Sequence, residues 1–244
     1  MKPEEYTNLD QVEREHWYYR GKREIAEYWV RKIGHLSKDS VLVDVGAGTG
    51  AFAQKMSAHC RIVAVDDYPE SLDLLRKRLG EESVIAASST AIPLADASVD
   101  FVTVLDVLEH VEDDCKAMQE IWRILKPGGI AVITVPALMC LWSDWDESLL
   151  HHRRYHRLQL RNLVGETQGK ILYINYMNFF PFPAVWLARK LRGARSAKSA
   201  KRAEDRIPPK AINTILRNLF VWSSTQTFFS WPLGVGLLCV AKKF

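Results

Sequence analysis

The run VLVDVGAGTGAFA, residues 41–53, changes character in its middle. Val41 to Val45 is short, Val-rich and almost wholly apolar, the composition of a strand buried on both faces. Gly46, Gly48 and Gly50 follow, and a helical pattern resumes after Gly50. A strand that becomes a helix through glycines brings bare backbone and unpaired helix N–H groups to one point, where a side chain would bar close approach of a ligand.

Outward from this junction the alternation repeats. RIVAVD (61–66), SVIAAS (83–88), VDFVTVLD (99–106) and GIAVITVP (129–136) read as strands, and Pro69 to Leu79 and Asp113 to Leu125 read as helices. Upstream, Val12, Trp17, Ile25, Trp29, Val30 and Ile33 recur on one face of a helix over residues 11–33 that ends near Gly34. Short Val/Ile-rich runs between helical periods predict a parallel sheet covered on both faces. Past Pro136 the regularity lapses. RLQLRNLVGET then predicts a helix, KILYINYMNFF a sixth strand, residues 209–221 a further helix and GVGLLCVAKK a last strand, while the basic, small-residue run 189–206 predicts a mobile loop.

A chain of 244 residues with 48% hydrophobic content suits one substantial core. We therefore expect a single domain, 1–244, divided into a helical cover (1–37), a core (38–137), an insertion with the sixth strand and basic loop (138–210), and a last helix and strand (211–244). The net charge is +4, of which residues 189–206 contribute +6, so the remainder is slightly acidic and does not suit a nucleic-acid-coating surface. Cys60, Cys115, Cys140 and Cys239 form no CxxC pair, which fits a reducing cytoplasm, and the polar N-terminus lacks an apolar leader. Two uncharged stretches, Ile171 to Ala188 and Asn218 to Ala241, approach the length of a membrane span but are broken by Pro181, Pro183, Pro232, Gly234 and Gly236.

The glycine run alone leaves its ligand open, because Gly46, Gly48 and Ala51 also satisfy the G-x-G-x-x-A pattern of dinucleotide sites. Asp66 ends the second predicted strand, sixteen residues past Gly50, where a carboxylate can accept both hydroxyls of a ribose. That serves NAD and any other adenosine cofactor equally. Asp66 also reads as a helix cap, although Asp67 is the better cap candidate, with Pro69 near the helix start.

VDFVTVLDVLEHVEDD, IWRILKPGG and the strand after it closely resemble the class I S-adenosylmethionine-dependent methyltransferases over residues 38–137, and PLGVGLLCVAKK is similar to that family's final strand. The resemblance implies an α/β, Rossmann-like seven-stranded sheet, mostly parallel, with helices on both faces and an antiparallel last strand. It implies S-adenosyl-L-methionine as cofactor. It places Asp44, Gly46, Ala47, Gly48 and Gly50 around the methionine part, Asp66 and Asp67 at the ribose, Ser88 and Ser89 beside the adenine, and Leu105, Asp106 and Val107 on the sulfonium side. Many relatives carry Asp at the position of Ser88, and a Ser hydroxyl accepts the adenine amine's hydrogen bond more weakly.

Methyl transfer from a sulfonium is an in-line displacement that relies on alignment in a dry site, with a base required only where the acceptor's proton is hard to lose. His110, just past the fourth strand, is the candidate base; Glu109 and His110 also read as caps of the next helix. The polar run WSDWDESLLHHRRYH (142–156) follows the fifth strand, at the edge where open α/β sheets bind ligands. Similar insertions occur in a branch related to the quinone-biosynthesis methyltransferases, so Trp142, Trp145, Asp146, His152, Arg153, Arg154 and Tyr155 are candidates for binding the acceptor. No metal site is expected, because adjacent His151 and His152 diverge in extended chain and His156 caps the helix from Arg157.

The expected function is methyl transfer to a small-molecule acceptor, at an oxygen of a polar or anionic metabolite. Alternatives are a lipid-like acceptor at a membrane surface reached through residues 176–206, or a NAD-dependent oxidoreductase. The oligomeric state is left open.

Overall fold

The computed structural model describes residue 10, residues 12–192 and residues 207–244. Seven strands form one sheet in the order β3-β2-β1-β4-β5-β7-β6. They are β1 (Val41–Val45), β2 (Arg61–Asp66), β3 (Val84–Ala86), β4 (Val99–Leu105), β5 (Leu125–Pro136), β6 (Gly169–Met177) and β7 (Gly236–Lys243). β1 to β5 pair in parallel, and β7 lies between β5 and β6, antiparallel to both. The predicted sheet, its helical cover and its inserted last strand are thus all present.

The helices are α1 (Trp17–Ile33), α2 (Ala51–Met56), α3 (Pro69–Leu79), α4 (Asp114–Ile124), α5 (Asp144–Ser148), α6 (Arg157–Glu166), α7 (Phe182–Arg192) and α8 (Lys210–Thr225). Alternation along each strand feeds two cores. Val43, Val45, Val102, Val104, Ile133 and Val135 pack toward α4 and α6, while Leu42, Ile62, Ala64, Phe101 and Val132 pack toward α1, α2, α3 and α8. The near-unbroken apolar runs are what a sheet buried on both faces requires.

Three expectations need correction. β5 begins at Leu125, four residues before the predicted start, because a register shift against β4 between Val99 and Phe101 accommodates the Lys-Pro-Gly-Gly turn. The sixth strand stops at Met177, since Asn178 turns the chain with φ of +56°. Residues 189–192, read as loop, continue α7, whose Pro183 falls in the first turn where no N–H partner is needed. The rest of the predicted basic loop, 193–206, lies outside the described residues.

Candidate cofactor and acceptor site

The sheet order reverses direction between β1 and β4, and the carboxyl ends of the strands on either side open a crevice there. A cavity of about 1050 Å³ occupies it, at the upper end of the usual range for small-molecule sites. Every cofactor-side residue expected from the sequence, from Asp44 through Val107, borders it except Gly50, which sits behind the loop as the N-cap of α2. Gly48 has φ of +55° and nothing within 4 Å of where a Cβ would stand, so the loop turns a bare face to the cavity. At Gly46, φ is +66° and a Cβ would meet Val107 at 2.4 Å.

Asp66 organises this loop. Its Oδ2 accepts from the Gly48 N–H at 2.8 Å and its Oδ1 from the Tyr68 N–H at 3.0 Å. Each carboxylate oxygen keeps a second lone pair for a ligand hydroxyl. Asp67, the expected cap of α3, does not cap it: the N-cap is Tyr68, without a side-chain bond, and the local Asx turn is made by Asp66. Asp44 is 3% exposed and accepts from Thr103 Oγ1 at 2.6 Å, a contact set by the register that pairs the two residues across β1 and β4. Burial, helped by the charges of Asp66 and Glu13, pushes the Asp44 carboxyl up to about 7.

Ser88 and Ser89 border the cavity beyond β3, and Ser88 Oγ lies 3.0 Å from Thr90 Oγ1. Leu105, Asp106 and Val107 close the wall at the end of β4. Asp106 is occupied on both oxygens: Oδ1 accepts from Thr134 Oγ1 at 2.8 Å, and Oδ2 accepts from Lys22 Nζ and lies 3.5 Å from the Tyr18 hydroxyl. Burial opposes the Lys22 charge, yet Asp106 outweighs it and holds the ammonium above its ordinary range.

The first helices form a roof that sequence reading left unassigned at the level of residues. Thr49 Oγ1 donates to Glu13, Arg78 binds both Asp10 and the Thr49 carbonyl, and Lys22 and Tyr18 reach Asp106. Lys22 and Tyr18 lie four apart on α1, so helical spacing alone marks them as one face; the sequence does not say that this face meets a carboxylate rather than water.

His110 borders the cavity in a short 3₁₀ turn, Leu108–His110. The alternative role as helix cap falls instead to Asp113, whose Oδ1 accepts from the Lys116 N–H at 2.9 Å. The His110 ring is open to the cavity but walled by protein, and desolvation, with the His151 ring beside it, pushes its pKa down to about 4. The imidazole is therefore neutral at pH 7, with a lone pair to offer. The two ring centroids are 4.6 Å apart at 82°.

The acceptor-side candidates separate into two groups. Trp145 and Arg154 reach the cavity wall, joined by Leu149 and His151. The other candidates do not border it, and their partners say why. Asp146 is fully buried and binds Arg154 bidentately, Oδ1 accepting from Nε at 2.7 Å and Oδ2 from Nη2 at 3.0 Å. Tyr155 is buried, its hydroxyl donating to Asp114 Oδ2 at 2.7 Å. Arg153 pairs with Asp114 at 2.8 Å and donates to the Glu112 carbonyl. Trp142 donates to Glu147 at the surface, and His152 is exposed, its backbone N–H bonded to the Glu109 carbonyl at 2.7 Å. The segment is thus mainly a self-bracing loop around the Asp146–Arg154 pair. His156 is the N-cap of α6 as expected, its N–H donating to Gln159 Oε1 at 2.8 Å.

Residues 43–133 match the family described as Methyltransferase domain. An uncharacterised methyltransferase-like protein of Schizosaccharomyces pombe is 41% identical over 123 residues, which is 50% of this chain and 45% of that protein. The chain spans about half the length of the curated relatives it matches. Among solved structures, a Thermotoga maritima S-adenosylmethionine-dependent methyltransferase, named a possible histamine N-methyltransferase, superposes with a TM-score of 0.62 at 17% identity, covering 99% of this chain and 96% of that one. A Haemonchus contortus phosphoethanolamine N-methyltransferase, solved with phosphomonomethylethanolamine and S-adenosylhomocysteine, gives 0.58 at 18% identity, over 90% of this chain and 52% of that one. Residues 43–133 are therefore similar to the methyltransferase domain, and the sheet they head has the class I S-adenosylmethionine-dependent methyltransferase fold.

Proposed function

We propose that the protein transfers the methyl group of S-adenosylmethionine to an oxygen of a small polar or anionic acceptor. The observation that carries this reading is the bare face of Gly48 set beside the two carboxylates Asp44 and Asp66, at the mouth of the crevice that also holds His110. Loop N–H groups and Asp66 suit a nucleoside, and the buried Asp44 suits the positive end of an amino acid. In the step itself an acceptor lone pair forms the C–O bond while the C–S pair returns to sulfur, leaving the thioether. The oxygen becomes strongly acidic as it gains the methyl, so even the weakly basic His110 imidazole can take its proton. Lys116 borders the cavity and favours a polar or anionic molecule.

The test is calorimetric titration with S-adenosylmethionine, S-adenosylhomocysteine and NAD, followed by incubation with a metabolite mixture and mass spectrometry for a gain of one CH₂ unit. Binding of the first two alone, abolished by Asp66→Ala, and a methylated product support the reading; binding of NAD alone returns the protein to the oxidoreductase alternative.

A second reading, a lipid-like acceptor at an anionic membrane surface, draws on α7. Pro181, Val185 and Arg189 border the cavity, while Phe180, Trp186 and Leu187 are exposed, and Phe180 continues onto exposed Trp222 with ring centroids 6.4 Å apart. Among the described residues no helix is long and apolar enough to cross a membrane. Such a patch suits an interfacial contact, with Lys190 lying over Trp186. Co-sedimentation with anionic but not zwitterionic vesicles, weakened by Trp186→Ser, would favour it over a soluble acceptor.

A further inference from the structure

Glu109, His110 and His151 each bring one potential ligand atom to a common point, all three atoms lying within 4.8 Å of one another. All three residues border the cavity. Adjacent histidines diverge, which removes His152 from this group, but the fold brings His110 from the end of β4 against His151 from the loop after β5. We infer that these three side chains hold one divalent transition-metal ion of the zinc type on the acceptor side of the cavity.

Three independent features support the inference. Glu109 is 1% exposed, and its Oε2 has no hydrogen-bond partner. A buried carboxylate oxygen without a donor is costly, and a cation is a natural way to satisfy it. Second, His151 Nδ1 lies 3.0 Å from Asp146 Oδ1. Asp146 accepts from Arg154 Nε at 2.7 Å and Nη2 at 3.0 Å, the arrangement of a carboxylate, so it accepts from His151 as well and His151 donates from Nδ1. That leaves the Nε2 lone pair for an ion, the carboxylate–histidine–metal arrangement by which proteins fix ligand orientation. Third, the His110 and His151 rings meet edge to face with centroids 4.6 Å apart at 82°, close enough for the two imidazoles to share one ion.

The charges facing the point also suit a cation. Asp106 is the neighbouring acid; Lys22 is paired with it and Arg154 with Asp146, so neither cation stands opposite the site uncompensated. Zinc bonds of about 2.0–2.2 Å place tetrahedral ligands roughly 3.5 Å apart, so small side-chain rotations close the three atoms on an ion. Two imidazoles and one carboxylate select zinc, iron, cobalt or nickel over magnesium or calcium. Three protein ligands leave a fourth position open to the cavity, where an acceptor oxygen can bind and lose its proton more readily. An ion there takes up the His110 lone pair and assumes the activating role otherwise given to the free imidazole. The ion site rests on the geometry alone; only this use of it rests on the methyl-transfer reading.

The test uses the full chain, stripped with chelator and titrated with Zn²⁺ by calorimetry, with metal content after dialysis measured by plasma mass spectrometry and S-adenosylhomocysteine affinity measured in parallel. One ion per chain is expected, with affinity falling about 10- to 100-fold in Glu109→Gln, His110→Ala and His151→Ala. His152→Ala should bind Zn²⁺ like the wild type, and circular dichroism checks that each variant is folded. Substoichiometric binding, or equal affinity in wild type and folded His151→Ala, overturns the ion site whatever the nucleoside does. Absence of nucleoside binding with the ion site intact overturns only the methyl-transfer reading.

Discussion

Lys22 on α1 and Asp106 at the end of β4, 84 residues apart in sequence, form an ion pair that pins the helical roof to the sheet. The lysine side chain is 10% exposed and the carboxylate 27%, so the pair is sheltered but not dry. Lys22→Met should leave Asp106 without its strongest partner and cost about 1–3 kcal/mol, below the loss expected for a fully buried pair. Thermal melting should show this as a drop of roughly 2–10 °C. An unchanged melting temperature would mean the roof is held elsewhere.

Asp44→Asn should stabilise the ligand-free protein at pH 8 while weakening cofactor binding. The folded-state pKa is about 7, above the ordinary carboxylate value of 3.8, so the unfolded chain releases this proton first. The group's contribution to wild-type stability is therefore full below about pH 4 and lost as pH climbs through about 7. Asn keeps the acceptor for Thr103 and carries no charge to desolvate. The variant should melt higher than wild type at pH 8, by an amount equivalent to about 1–3 kcal/mol, and the gap should close toward pH 4. A gap independent of pH would contradict this assignment.

Gly48→Ala and Gly46→Ala separate backbone strain from crowding. At Gly48 the left-handed φ costs alanine about 1–2 kcal/mol, but the space around it is open. The variant should fold, melt a few degrees lower, and lose at least about tenfold in nucleoside affinity, because the new methyl occupies ligand volume. Gly46→Ala, whose Cβ would meet Val107 at 2.4 Å, should be the less stable of the two. Equal nucleoside affinity in wild type and Gly48→Ala would place the ligand elsewhere.

Neighbouring arginines in the acceptor-side loop should behave differently. Arg154→Ala leaves the fully buried Asp146 without its bidentate partner and should cost about 3–5 kcal/mol. Arg153→Ala removes a partly exposed pair with Asp114 and should cost about 0.2–1 kcal/mol. Urea denaturation of the two variants reads the difference directly.

The parallel sheet and the glycine junction were legible because they rest on local periodicity and on backbone demands that only glycine meets. α3 began and ended at the expected Pro69 and Leu79, since a proline start and a glycine stop are written in the chain itself. The acceptor-side loop was only half legible. Its mixture of His, Arg, Asp and Trp marked chemistry, but whether Asp146 faces a ligand or Arg154 depends on a fold-back over eight residues that no periodicity encodes. His151 borders the cavity where His152 does not, and extended chain says only that adjacent side chains diverge, not which of the two points inward. Lys22 and Glu109 were hidden for another reason: each looks like an ordinary charged residue until a partner from a distant strand or loop arrives.

β7 is apolar from Gly236 to Ala241 and bonded along both edges. Within the sheet it is the sole bridge by which β6 is joined to β5. Its amides should therefore be among the slowest to trade hydrogen for deuterium. The same placement acts as a coupling: β6, with α7 following it at the acceptor end, is joined to the nucleoside end of the sheet through this strand, so any loosening of β7 is felt at both walls of the crevice.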